Sequence, residues 1–166
     1  MPDNSYIIIL AGVAGAGKTT VGKLLASRRG WDFLDADDFH SSENIEKMSS
    51  GISLTDEDRK PWLEAIKSEI ERVMSEKKSA VIACSALKEK YRKYLGDNSK
   101  DVIFFLLNVD YQEAYLRLSK RGNHFFGVDV LKSQFETLEK TEGTISIDAS
   151  KTPEEITDEI LKKLGF

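Results

Sequence analysis

The sequence predicts a three-layer α/β domain, a five-stranded parallel sheet with helices on both faces, and three observations carry that expectation. Five short apolar runs are separated by segments with helical periodicity. The first run leads straight into a glycine-rich turn and then a helical pattern, the order of a βαβ unit. No linker divides the 166 residues, a length that suits one domain spanning 1–166 and buries about two-thirds of the unfolded surface.

Taken in order, Tyr6 to Ala11 is the first strand, apolar throughout as a strand covered on both faces must be. Val21, Leu24 and Leu25 give the next helix its apolar face, and Asp32 to Ala36 is the second strand. The segment from His40 to Lys60 is polar and breaks the alternation. It reads as an insertion at the carboxyl ends of the strands, where ligands bind in such sheets, so about 40–60 should contribute to substrate binding. Trp62, Leu63, Ile66, Ile70, Val73 and Met74 recur at helical spacing before a third strand, Ala80 to Ser85. Leu87, Tyr91 and Leu95 mark a helix stopped by Gly96, and Val102 to Asn108 is the fourth strand. A second interruption, Lys120 to Asp129, holds an aromatic stretch flanked by Gly122 and Gly127 and reads as a short lid over about 119–130. Thr144 to Asp148 is the fifth strand. Thr152-Pro153-Glu154-Glu155 then opens a last helix with a cap residue, a first-turn proline and a glutamate at the third position, followed by Ile156, Ile160 and Leu164 on one stripe.

Composition narrows the function classes. With 40% hydrophobic and 31% charged residues the chain is too apolar for disorder, and its longest apolar run, Tyr6 to Val13, is far short of the roughly 20 residues that span a bilayer. The 24 basic and 28 acidic residues sum to −4, so no global field favours nucleic acid or an acidic membrane. An anionic ligand must be held by local cations. Cys84 is the single cysteine, which excludes an internal disulfide, and Met-Pro-Asp-Asn-Ser lacks the parts of a signal peptide, so the expected setting is cytoplasmic.

Gly12-Val13-Ala14-Gly15-Ala16-Gly17-Lys18-Thr19 has the spacing of a phosphate-binding loop between a strand and a helix. Glycines let successive N–H groups turn inward on a phosphate, and the helix N-terminus adds partial positive charge. Lys18 is placed for the outer phosphates of ATP and the Thr19 hydroxyl for Mg²⁺. The fold class is therefore a P-loop NTPase fold. A GTP switch would need an Asn-Lys-x-Asp guanine motif, which the chain lacks.

At the end of the second strand stands Asp35-Ala36-Asp37-Asp38-Phe39-His40. In an extended segment residues two apart point to one side, so Asp35 and Asp37 can both face the phosphates. One carboxylate can hold Mg²⁺ and the other can take the proton of an attacking hydroxyl. Charge builds on the equatorial oxygens during phosphoryl transfer, and Arg117, Lys120 and Arg121 supply cations beside the lid.

These residues carry a specific resemblance. Gly12 to Thr20, Asp35 to His40, Asn44-Ile45-Glu46-Lys47-Met48, Leu54 to Leu63, Cys84-Ser85-Ala86-Leu87-Lys88 with Tyr91-Arg92, His124-Phe125-Phe126 and Ser133 to Glu139 follow in the order found in gluconokinases of the small P-loop type. The chain resembles that family, which is related in fold to shikimate kinase and the nucleoside monophosphate kinases. The resemblance implies ATP-dependent phosphorylation of D-gluconate at its 6-hydroxyl. ATP would lie on Gly12 to Thr20 with Arg117, and Mg²⁺ near Thr19 and Asp35. Asp37 would be the base, and Lys18 and Arg121 would stabilise the transferring phosphoryl. Arg59 matches by position the arginine that meets the acid substrate in the shikimate kinases; the competing reading pairs it with Asp56 or Asp58. His40, Gln134, Lys88 and Arg92 complete the substrate set, with Gln134 placed to read sugar hydroxyls and Lys88 and Arg92 adding charge. Ala149 to Thr152 resembles the adenine-contacting loop by position, and a homodimer is expected of the family. Ala14 and Ala16 stand where relatives usually have serine, and Ser41 where they have proline. The alternatives are a kinase of the same fold with another acceptor, such as another sugar acid, shikimate or a nucleoside monophosphate, and a nucleotide-binding regulator without turnover.

Overall fold

In the computed structural model, which describes residues 5–96, 99–121, 128–141 and 143–166 (of Arg121, Val128 and Asp129 the backbone alone), the five expected strands form one sheet. They are β1 (Ile7–Ala11), β2 (Asp32–Asp35), β3 (Ala80–Ala83), β4 (Val102–Asn108) and β5 (Ile145–Asp148), ordered β2-β3-β1-β4-β5 with every neighbouring pair parallel. The central strand β1 sets Ile8 between Val81 and Ile103 in register.

The side chains of β1 alternate between two cores, and both are apolar, which is why the strand shows no polar phase. Ile8 and Leu10 pack with Val21 and Leu25 of α1 (Lys18–Arg29), Leu118 of α5 (Tyr111–Arg121) and Ile156 and Ile160 of α7 (Pro153–Lys163). Ile7, Ile9 and Ala11 face Trp62, Ile66 and Ile70 of α3 (Asp56–Ser75) and Tyr91 and Leu95 of α4 (Glu89–Leu95). Each such aliphatic or aromatic side chain contributes about 1.5–3 kcal/mol on full burial, so the two cores hold the helices on both faces. Gly96 ends α4 in the left-handed conformation, and Thr152 caps α7 through the Glu155 N–H.

Two local expectations change. The second strand stops at Asp35, because Asp35 Oδ1 accepts the N–H of Asp37 and turns the chain into a 3₁₀ helix, Ala36–Phe39. The extended geometry expected from Asp35 to Asp37 is therefore wrong. The polar segment after His40 is also structured, holding α2 (Ser42–Ser49) and the first turn of α3. Ser41 caps α2 at φ −67, the value a proline there would impose, and its hydroxyl accepts the Asn44 N–H at 3.1 Å. Thr55 and Asp58 form a capping box on α3. After the lid position, α6 (Val128–Thr137) returns the chain toward β5, and residues 122–127 lie outside the described residues.

Candidate active site

The loop from Gly12 to Gly17 leaves β1 at the carboxyl edge of the sheet and enters α1, whose first turn carries no acidic side chain. The N-terminal N–H groups of that helix are left for an anion. Two glycines are demanded by space as well as conformation. Gly12 has φ +144, and a Cβ there would lie 2.9 Å from the Leu107 carbonyl oxygen; Gly15 has φ +83, with the Ala114 carbonyl oxygen 2.7 Å from the same addition. Val13 and Ala16 are buried beneath the loop, whereas Thr20 is exposed on α1. Lys18 Nζ donates to the Gly12 and Val13 carbonyls at 2.8 and 3.0 Å.

A cleft opens in front of the loop. Ala14, Gly15, Gly17, Lys18 and Thr19 line one wall, Asp35, Asp37 and His40 the second, and Arg59, Trp62, Ser85, Leu87 and Gln134 close it. Although the strand geometry expected at Asp37 is replaced by a 3₁₀ turn, Asp35 and Asp37 still reach the same cleft. Crowding by the cleft walls withdraws water from the Asp37 carboxyl and raises its pKa; Lys18 opposes that shift, and Asp35 and Asp38 reinforce it. Thr19 Oγ1 and Asp35 Oδ2 stand 3.5 Å apart. One hydroxyl and one carboxylate beside a phosphate site are the oxygen donors that Mg²⁺ takes together with water and phosphate oxygens, so the residues fit the ion.

His40 stacks on Trp62 with centroids 4.4 Å apart and an interplanar angle of 7°. Trp62 Nε1 donates to the Ala36 carbonyl at 2.7 Å, which makes it the floor of the site. Asn44, nearly buried, donates through Nδ2 to the Asp58 carbonyl at 2.8 Å and reaches His40 Nδ1 at 3.3 Å. The carbonyl contact identifies that atom as the amide nitrogen, so Nδ1 must accept and the ring proton resides on Nε2. Burial and the nearby Arg59 charge push the His40 pKa down to about 4, leaving a neutral imidazole at pH 7. Sequence reasoning gave Asn44 no role; its place four residues after His40, on the helix that Ser41 caps, is the signal that was available.

Among the described arginines, Arg59 lines the cleft without a carboxylate partner. The competing pairing with Asp56 or Asp58 does not occur, because Asp56 is engaged by Lys88, Lys90 and Tyr91, and Asp58 by Lys47. Arg59 instead donates to the Tyr91 hydroxyl at 3.1 Å.

Other expected site residues serve different tasks. Arg92 is fully buried and donates to the Ala86 and Glu139 carbonyls at 2.6 and 2.7 Å and to the Thr141 hydroxyl, so it clasps two chain segments and does not meet substrate. Lys88 pairs with Asp56 at 3.0 Å outside the cleft lining. The helix register that places Lys88 and Arg92 four apart is therefore not a shared charged face. Arg117 binds Glu113 and donates to the carbonyls of Gly15, Ala16 and Ala149, bracing the phosphate loop against the chain after β5. Lys120 is exposed on α5; the Arg121 side chain lies outside the described residues, as do His124, Phe125 and Phe126. Gln134 does line the cleft, but its Oε1 accepts the Ala14 N–H at 2.6 Å. Cys84 is buried and its thiol is pushed up to about 12 by desolvation, consistent with an inert core residue.

Fold and cleft together define a small-molecule kinase of the shikimate kinase-like P-loop class, and a model of the family described as shikimate kinase matches residues 14–165. Closer comparison sharpens the class. The chain is 45% identical to a probable gluconokinase of Dictyostelium discoideum, over 98% of this chain and 88% of that protein. It is 44% identical to the thermosensitive gluconokinase of Escherichia coli, over 80% and 71% respectively. Among solved structures, a gluconokinase from Sinorhizobium meliloti superposes with a TM-score of 0.85 at 38% identity, covering 98% of this chain and 93% of that one. The shikimate kinase of Aquifex aeolicus shares the fold, with a TM-score of 0.61 at 21% identity over 96% of each chain. The chain belongs to the gluconokinase family and is a phosphotransferase.

Proposed function

We propose that this chain uses ATP and Mg²⁺ to phosphorylate D-gluconate at its 6-hydroxyl, releasing 6-phosphogluconate and ADP, as one kinase domain working in the cytoplasm. The observation that carries the reading is the convergence of Lys18, Asp37 and Arg59 on one cleft. The loop N–H groups from Gly12 to Thr20 cradle the ATP phosphates, and Arg117 holds that loop in shape. Thr19 and Asp35 would hold Mg²⁺, which would supply positive charge against the phosphates when bound. Arg59 pairs with the gluconate carboxylate, while neutral His40 donates its Nε2–H to a sugar hydroxyl. Asp37 removes the 6-hydroxyl proton as the new O–P bond forms and the bond to the ADP oxygen breaks. Lys18 swings from the loop carbonyls to the transferring phosphoryl, a role it shares with Arg121 at the end of α5. The identity of 37–45% to gluconokinases from several organisms supports gluconate over the other acceptors of this fold.

ADP release with gluconate, other aldonates, shikimate and nucleoside monophosphates tests the reading. Turnover should be highest with gluconate. Turnover confined to a nucleoside monophosphate removes the acceptor assignment, and none with any acceptor leaves a nucleotide-binding regulator. No described helix is long and apolar enough to cross a membrane.

A further inference from the structure

We propose that Tyr91 is a positioning residue for acceptor selection: its hydroxyl holds the Arg59 guanidinium in place for the carboxylate of the sugar acid, and Asp56 holds that hydroxyl. The inference rests on the assignment of Arg59 made above.

The direction of this hydrogen-bond chain is settled by chemistry. Arginine has no acceptor and an ionised carboxylate has no donor, so the one phenolic proton of Tyr91 must go to Asp56 Oδ1 and its lone pair must receive Arg59 at 3.1 Å. Asp56 stays ionised because Lys88, Lys90 and Tyr91 all donate to it, which keeps its carboxyl well below the usual range. Tyr91 is almost wholly buried on α4, with its ring among the core residues that cover β1, so the anchor is rigid. Its ring also sits 5.6 Å from the guanidinium carbon, a cation–π contact.

The clamp has a functional logic that an ion pair would not have. Among the described residues no carboxylate lies within ion-pair distance of Arg59, and its side chain donates to a neutral hydroxyl. Its charge is held in place without being cancelled. The single carboxylate behind it, Asp56, is matched by two lysines. An incoming carboxylate therefore meets an ordered and uncompensated guanidinium, and the ordering of a long side chain is completed before binding rather than during it.

Tyr91→Phe removes one oxygen and keeps the ring. The KM for gluconate should rise about tenfold, the loss of one charge-assisted hydrogen bond, with kcat and the KM for ATP within about twofold of the parent. Selection of gluconate over the neutral polyol glucitol, as a ratio of kcat/KM, should fall by a similar factor in Tyr91→Phe and further in Arg59→Ala. In the Arg59→Ala background Tyr91→Phe should change neither quantity. Asp56→Ala, which frees the hydroxyl and leaves the Tyr91 ring in the core, should move the gluconate KM in the same direction and serves if Tyr91→Phe folds poorly. If Arg59→Ala raises the gluconate KM while Tyr91→Phe and Asp56→Ala leave it unchanged, or if the Tyr91 and Arg59 effects simply multiply, the positioning role is overturned and the Arg59 assignment stands. If Arg59→Ala itself leaves gluconate selection intact, the assignment fails and the inference falls with it.

Discussion

Gln134 Oε1 accepts the backbone N–H of Ala14 at 2.6 Å, joining α6 to the phosphate loop across 120 positions of sequence. An amide expected to read sugar hydroxyls is thus already bonded through its oxygen to the nucleotide-binding turn. Gln134→Ala should lower kcat/KM for ATP by about tenfold, because the N–H loses its fixed acceptor and the loop its brace. The gluconate KM should change less. Initial-rate kinetics with each substrate varied decide between the two roles: a gluconate KM that rises alone restores the sugar-reading assignment.

The crowding that raises the Asp37 carboxyl above its ordinary value gives the proposed base a titration that kinetics can read. Only the ionised form accepts a proton, so kcat/KM should climb with pH through that raised pKa and level off above it. Asp37→Asn should reduce kcat by about two to four orders of magnitude and abolish this acidic limb, with ATP affinity retained. Near-parental turnover in the variant would remove the base.

His40 is held neutral, with a folded pKa of about 4 against 6.5 for the free side chain. Its folded value is depressed, so the unfolded chain binds the proton first as pH falls. The contribution to stability is complete above pH 6.5 and is lost progressively toward pH 4. Denaturant midpoints between pH 7 and pH 4.5 should therefore fall less steeply in His40→Gln than in the parent. Nitrogen-15 spectra at pH 7 should show the proton of His40 on Nε2, and Asn44→Leu should release that preference.

Arg92 and Lys88 should separate sharply in unfolding experiments. Arg92→Ala strips donors from the carbonyls of Ala86 and Glu139 and from the Thr141 hydroxyl and empties a fully buried site, and a loss of about 3 kcal/mol or more is expected. Lys88→Ala removes a partly exposed ion pair and should cost about 1 kcal/mol or less. If Lys88→Ala instead changes the gluconate KM with stability intact, the lysine has a substrate role after all.

The legible parts of this protein are those whose cause is local. Five strands could be placed within about two residues: β1, β3 and β4 are nearly continuous apolar runs in the covered middle of the sheet, the edge strands β2 and β5 are short stretches that mix apolar and polar residues, and β4 coincides with its expected bounds, Val102–Asn108. The phosphate loop was legible because its glycines, lysine and threonine are consecutive. Less legible was α2, short and polar, although its Ser41 cap and the Thr55 and Asp58 box ahead of α3 are sequence signals in themselves. The carboxylate pair was reached by a wrong route: alternation along a strand placed Asp35 and Asp37 together, whereas a 3₁₀ turn begun by the Asp35 side chain does so.

By itself the sequence determined the layer order, the phosphate loop, the family and the set of polar groups from which a site could be drawn. Those follow from spacing within short segments, which the chain carries wherever it folds. Only the tertiary structure decided which cations are spent on the protein and which remain for ligand. Arg117 is taken by carbonyls up to 102 positions away and Arg92 by one 47 away, whereas Arg59 meets a hydroxyl 32 positions on and keeps its charge for the cleft. The physical reason is that a charged side chain is satisfied by whatever acceptor the packed helices bring within about 3 Å, and that distance is a property of the fold.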